Sequence, residues 1–358
     1  MNFSKEFPVL ANCTYLNTAN SGVLSQSVLN WRRAHDEKFM QAGSQFRAHQ
    51  VEFLQGIRQQ LARFFKGNLD NTFLVPNFSF GFNTFLDGLA ASHRFLLVRS
   101  DYPSVNYPVE SRGFSCGYVE QNELLEENIL EKVKTFKPTV LALSLVQYTS
   151  GIKIDFGFIK KLKADYPDLV IIADGTQYCG TEDFNFEASG LDALISSGYK
   201  WMLGGYGNGF VMINDRVAEF LYQERRRYHL PKEPFLKGKT QLSLCFEPGH
   251  LDTLNFGTLG QSMLYLENLG FEYIENCIKS ISEAAKNAFT ERGLLSGDVI
   301  RQAQLSSIFN IKSDEKLARR LQKASIICVP RGKGLRVSFH FYNSEQDLQE
   351  LLNVIDHL

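Results

Sequence analysis

Short β-rich apolar runs recur between Thr72 and about Asp215: FLVPN, RFLLVRS, TVLALSLVQY, LVIIADG, LDALISSGY and GFVMIND. Between them lie stretches such as LLEENILEKVKTF and FGFIKKLKADY, whose apolar residues return at intervals of three and four, the spacing of an amphipathic helix. Strand and helix in alternation make βα units, and the parallel sheet they build must carry helices on both faces. No other feature of the chain narrows its fold so far: an α/β architecture around a mostly parallel sheet.

After Pro248 the pattern changes. A long helical stretch from about Thr258 to Arg292 leads to a short strand in SSIFNI, a helix around Glu315 to Lys323, and a hairpin-like pair, SIICVP and GLRVSFHF. A last helix starts at Ser344-Glu345-Gln346-Asp347, an S-x-x-D capping pattern. This order suits a smaller α+β domain, and the expected division is an arm over 1–20 that contributes to the small domain, a large domain over 21–247 and a small domain over 248–358.

Of the 358 residues, 44% are hydrophobic and 22% charged, so the chain should fold throughout. A formal net charge of −1 supplies no global field toward nucleic acid or an anionic membrane. The start MNFSKEFPVL has no apolar run after a basic stretch, and nowhere does the chain approach the ~18 apolar residues of a membrane span. A cytoplasmic location follows, with neither nucleic acid nor membrane as partner. Cys13, Cys116, Cys179, Cys245, Cys277 and Cys328 are scattered, with no C-x-x-C and no histidines at zinc spacing; reduced thiols and no metal site are expected.

Ligands of open α/β sheets collect at the carboxyl ends of the strands. LVIIADGTQ puts Asp174 at such an end with Gln177 three residues on, and LISSGYKWM puts Ser196, Ser197, Tyr199 and Lys200 at another. Pyridoxal 5'-phosphate (PLP) needs an amine for its imine, a carboxylate to keep the pyridine nitrogen protonated, and donors for phosphate and phenolic oxygen. These two strand ends can supply all of them. Singly, each residue has a plainer reading: Lys200 a solvated strand end, Asp174 a helix cap, Gln177 an ordinary turn residue. The case rests on their joint order.

That order resembles the class V aminotransferase and cysteine desulfurase-like family of fold-type I PLP enzymes, from TYLNTANSGVL near the start to LRVSFHFYNSEQDL near the end. The family places an Asp-x-x-Gln pair one strand before Ser-Gly-(His/Tyr)-Lys; here these are Asp174, Gln177 and Ser197-Gly198-Tyr199-Lys200. The resemblance implies a PLP-dependent transferase fold with a seven-stranded sheet, a Schiff base on Lys200, and Asp174 on the ring nitrogen. It also implies that Phe78 and Ser79 in NFSFGFNTFLDGL hold the phosphate, with Ser197 and Tyr199 adding donors, and that Tyr102 stacks on the ring where histidine is common. Arg336 would bind the substrate carboxylate, and Gln147, beside Tyr148, would lie near the cofactor oxygen. FEPGHLD around Gly249 resembles the segment that reaches the neighbouring subunit's phosphate, with His250 where threonine is usual; a homodimer is expected by the same resemblance.

Some motifs point elsewhere. GGYGNG, Gly204 to Gly209, lacks the Lys-Ser/Thr ending of a P-loop and reads as a turn into the GFVMIND strand, and Arg225-Arg226-Arg227 reads as a solvated helix end. The desulfurase branch uses a cysteine on a mobile loop, whereas Cys328 sits inside the apolar run IICVP, with only Val329 to Leu335 before Arg336. A structural thiol is the expectation. The first functional hypothesis is therefore an amino-acid aminotransferase using amino-acid and keto-acid substrates. The alternatives are a cysteine or selenocysteine lyase, a desulfurase-like enzyme or an epimerase, and a non-catalytic relative that keeps the fold as a binding module.

Overall fold

The computed structural model describes residues 2–236 and 238–357. The N-terminal arm, here the chain up to the helix that begins at Gln26, carries β1 (Thr14–Tyr15). Seven strands follow: β2 (Thr72–Val75), β3 (Arg94–Val98), β4 (Ser115–Val119), β5 (Val140–Ser144), β6 (Val170–Asp174), β7 (Ala193–Ser197) and β8 (Gly209–Ile213). They form one sheet in the order β2-β8-β7-β6-β5-β3-β4. β8 alone runs against its neighbours β2 and β7; the other pairs are parallel. GGYGNG is the return between β7 and β8, and an antiparallel return needs no crossover helix.

Successive side chains of a strand leave opposite faces. Leu141, Leu143 and Ile171 accordingly join one apolar cluster, while Val140, Ala142 and Ile172 join another across the sheet. Burial on both faces is why these strands read as continuous apolar runs. β4 is the exception that sequence reading passed over: it is an edge strand, SCGYV, with its first residue exposed and Gly117 at its centre.

The remaining strands are β9 (Ile308–Lys312), β10 (Ile326–Ile327), β11 (Val329–Arg331) and β12 (Gly334–Ser338). β11, β12 and β9 form an antiparallel sheet, and β10 pairs in parallel with β1 of the arm. The run SIICVP is thus two strands, with Cys328 at the junction. A third apolar cluster gathers Leu16 with Ile281, Phe289, Phe309, Val337 and Leu351.

The helical stretch expected as one is two, Thr253–Leu269 and Phe271–Glu291, divided at Gly270 with φ 88°, a conformation that glycine alone adopts without cost. The first of these buries Phe256, Leu259 and Met263 in the cluster on the large sheet. In the second, Ile274 and Ile278 face that cluster and Ile281 and Ala285 the third, so this one helix packs against both. The last helix, Glu345–Asp356, begins with a capping box between Ser344 and Asp347. Among the described residues, no helix is long and apolar enough to cross a membrane.

Candidate active site

The parallel strands β5 and β6 end side by side, with Ser144 in register with Asp174, and Asp174 in turn beside Ile195 of β7. Just beyond these ends lies a cavity of about 330 Å³. Lys200, Asp174, Gln177, Ser197, Tyr199, Tyr102, Phe78 and Ser79 all line it, so eight of the ten expected site residues share one space.

Lys200 is 6% exposed on a tight loop after β7, where Leu203 and Gly204 N–H groups donate to Lys200 and Gly198 carbonyls at 3.1 and 2.8 Å. Leu203 takes a left-handed φ of 54° there. The arm clamps this loop: Gly22 N–H donates to the Tyr199 carbonyl at 2.8 Å, and a Cβ on Gly22 would sit 2.1 Å from the Lys200 oxygen. The Lys200 ammonium stands 5.7 Å from the Tyr102 ring centre and 5.4 Å from that of Tyr199. Burial pulls its pKa well below the usual lysine range, with Asp174 opposing and Arg336 and Arg331 assisting. Asp174 is also 6% exposed; burial pushes its carboxyl up, while the hydrogen bond from Thr176 N–H at 2.8 Å and the charge of Lys200 hold it down.

Gln177 is held at both ends of its amide. Its Nε2 donates to the Ala19 carbonyl at 2.9 Å, and its Oε1 accepts from Trp201 Nε1 at 2.8 Å. Opposite, the helix Phe78–Asp87 points its N-terminus at the cavity. Asn77 Oδ1 caps Phe80 N–H at 2.9 Å, and Ser197 Oγ accepts from Phe78 N–H at 2.8 Å. Ser79 N–H finds no partner among the described residues, leaving a donor at the positive end of the helix dipole.

Arg336, on β12, does not line the cavity but is bonded to Tyr148, which does. It is 2% exposed, its Nη1 donates to the Tyr148 carbonyl at 2.7 Å, and its Nε and Nη2 have no partner. Tyr148 lines the cavity and meets Tyr102 edge-on at 5.4 Å. Burial first, then the charge of Arg331, brings the Arg336 pKa down to about 10. A buried fork with two unmade donor bonds fits a carboxylate.

Gln147 departs from its expected place beside the cofactor oxygen. It does not line the cavity; its Nε2 donates to Asp101 Oδ2 at 3.1 Å. Asp101 is the buried residue that sequence reading missed. It also accepts from Ser144 N–H, Ser144 Oγ and Tyr102 N–H at 2.9, 2.6 and 2.6 Å, tying the Tyr102 turn to the end of β5. Its position after the RFLLVRS run was a signal. His250 is exposed and accepts from Arg47 at 2.8 Å on its Nε2. Cys328 is half-buried, with burial raising its thiol to about 11.

A second cavity of about 500 Å³ borders the other side of Gln177, lined by groups such as Lys153, Glu182, Glu275 and Ser282. Both of its lysines are paired with glutamates, Lys153 with Glu182 and Lys279 with Glu283 at 4.0 Å, whereas the Lys200 amine has no hydrogen-bond partner among the described residues.

The family model for class V aminotransferases matches residues 34–351, and the chain belongs to this family. An uncharacterized aminotransferase, YcbU, of Bacillus subtilis (strain 168) is 20% identical over 98% of this chain and 95% of its own. A cysteine desulfurase from Thermococcus onnurineus NA1 superposes with TM-score 0.82 at 17% identity, covering 99% of this chain and 96% of that one. C-DES, in a variant with glycine covalently linked to its PLP cofactor, gives TM-score 0.86 at 17% identity over 99% of each chain; C-DES is a cystine C–S lyase. The fold is that of fold-type I PLP enzymes, and the chain is a PLP-dependent enzyme acting on amino acids.

Proposed function

We propose that this protein is an aminotransferase that exchanges an amino group between an amino acid and a keto acid, with Lys200 as its covalent lysine. The observation that carries the reading is one cavity bounded by a buried amine, a buried carboxylate and a helix N-terminus whose Ser79 N–H is free, with an arginine fork short of two partners beside it. The donor set fits the cofactor: Lys200 for the imine, Asp174 for the ring nitrogen, Ser79 N–H with the Ser197 and Tyr199 hydroxyls for the phosphate, Gln177 for the phenolic oxygen and Tyr102 for the ring face. PLP bound there supplies an electron sink for the charge left when a substrate loses its α-proton. Lys200 takes and returns that proton, helped by a depressed pKa that leaves its amine a competent base near neutrality. Arg336 orients the substrate through its carboxylate, and Asp101 keeps the Tyr102 turn in place.

An absorption spectrum of the holoenzyme tests this. An amino acid should abolish the imine band and a keto acid should restore it; failure of every keto acid to restore it rules out transamination. A second reading, C–S lyase chemistry, is favoured by Cys328: it sits between two short strands with its thiol raised, unsuited to accept sulfur. Under that reading, release of sulfide from cysteine, or of cysteine persulfide from cystine, survives Cys328→Ala.

The same proposal includes a homodimer in the cytoplasm. Phe39, Met40 and Val51 are 55, 76 and 73% exposed on neighbouring helical segments, apolar surface that a second subunit would cover. The six cysteines are all unpaired, as suits a reducing compartment.

A further inference from the structure

β11 and β12 form a hairpin in which Val329 pairs with Arg336 and Arg331 with Gly334. Paired residues share a face, as do residues two apart along a strand. Arg331 and Arg336 therefore leave the hairpin on the same face as diagonal neighbours, roughly 7–8 Å apart. Opposite Arg331 stands Gly334, with no side chain to separate them. Asn310 packs over that glycine and binds the Arg331 carbonyl through Nδ2 at 3.0 Å.

Neither arginine pairs with a carboxylate among the described residues. Arg336 has its one bond to the Tyr148 carbonyl, and Arg331 donates to Asn20 Oδ1 at 3.1 Å. Asn20 lies at the rim: Ala19 before it accepts from Gln177, and Ser21 after it accepts from the Tyr206 hydroxyl at 3.1 Å, Tyr206 being a lining residue. The charge of Arg331 is also felt at both Arg336 and Lys200. Two like charges set side by side without a counter-charge are unfavourable until anions arrive.

We propose that Arg331 is a second anion anchor and that the preferred substrate is a dicarboxylic amino acid, its α-carboxylate on Arg336 and its distal carboxylate on Arg331. This rests on the reading of Arg336 as the α-carboxylate anchor. Arg331 is exposed where Arg336 is buried, the difference expected between the outer and inner ends of an extended substrate.

Steady-state kinetics and spectral titration of the holoenzyme with L-aspartate, L-glutamate and L-2-aminoadipate, against L-alanine and L-norvaline, decide it. Wild type should favour at least one dicarboxylic substrate over the neutral pair. Losing one charge-assisted bond, R331Q should lower the dicarboxylic-to-neutral ratio of kcat/KM roughly tenfold or more, with R331K recovering part of it. R336Q should weaken both classes. Equal effects of R331Q on both classes, or a wild type without dicarboxylic preference, overturn the proposal while the enzyme reading stands. A wild type whose cofactor band answers no amino acid overturns the enzyme reading as well.

Discussion

Lys200 and Asp174 are each removed from water at a strand end, and their positions in the chain foretold neither burial nor mutual influence. The ordinary lysine pKa is about 10.4, and only the neutral amine attacks an aldehyde. Because burial depresses the Lys200 value, the amine becomes nucleophilic at lower pH than an exposed lysine does. Apoprotein mixed with PLP should thus capture it at a rate that rises with pH and levels off well below pH 10.4, followed by imine absorbance. A midpoint at the free-lysine value would show the amine to be solvated. Local spacing made the motif residues readable, since Asp174 ends an apolar run and Lys200 follows another after a short Ser-Ser-Gly-Tyr stretch. Asp101 was passed over although it follows a run too: its meaning comes from Ser144 and Gln147, 43 and 46 residues away in the chain. Gln147 was placed near the cofactor for the complementary reason, since a strand-end position does not say which way an amide turns.

Elements were legible where one periodicity held throughout. The buried strands, the Glu315–Lys323 helix and the capped last helix repeat their patterns without interruption. β4 was not, because an edge strand needs no continuous apolar run, and neither was the division at Gly270, because a lone glycine is tolerated within helical patterns. The arm is the element whose role depends most on its contacts. Its Gly22 passes so close to the Lys200 loop that no side chain fits. Gly22→Ala should lower the thermal midpoint through an overpacking cost of about 1–3 kcal/mol, and it should also loosen PLP retention, because the displaced loop carries Lys200. An unchanged midpoint together with unchanged retention would show that the arm yields freely.

Across the whole molecule, the site is assembled from the large sheet, the arm and the hairpin that follows β10. The helices bearing Phe39, Met40 and Val51 stand on its surface, beside an apolar groove of about 850 Å³ lined in part by Trp31, Phe46 and Phe53. If a second copy covers this face, replacing Met40 and Val51 together by glutamate should shift sedimentation from dimer toward monomer, whereas a wild type that already sediments as a monomer excludes the assembly. The sequence by itself determined the sheet-and-helix alternation and the order of the PLP-type motif, since both are set by residues near one another in the chain. Tertiary structure alone decided that Gln177 is clamped between Ala19 and Trp201, that Asp101 supports Tyr102, and that Arg331 shares a face with Arg336. Such relations arise when segments distant in the chain pack together, and burial then fixes charges and hydrogen bonds that local spacing does not encode.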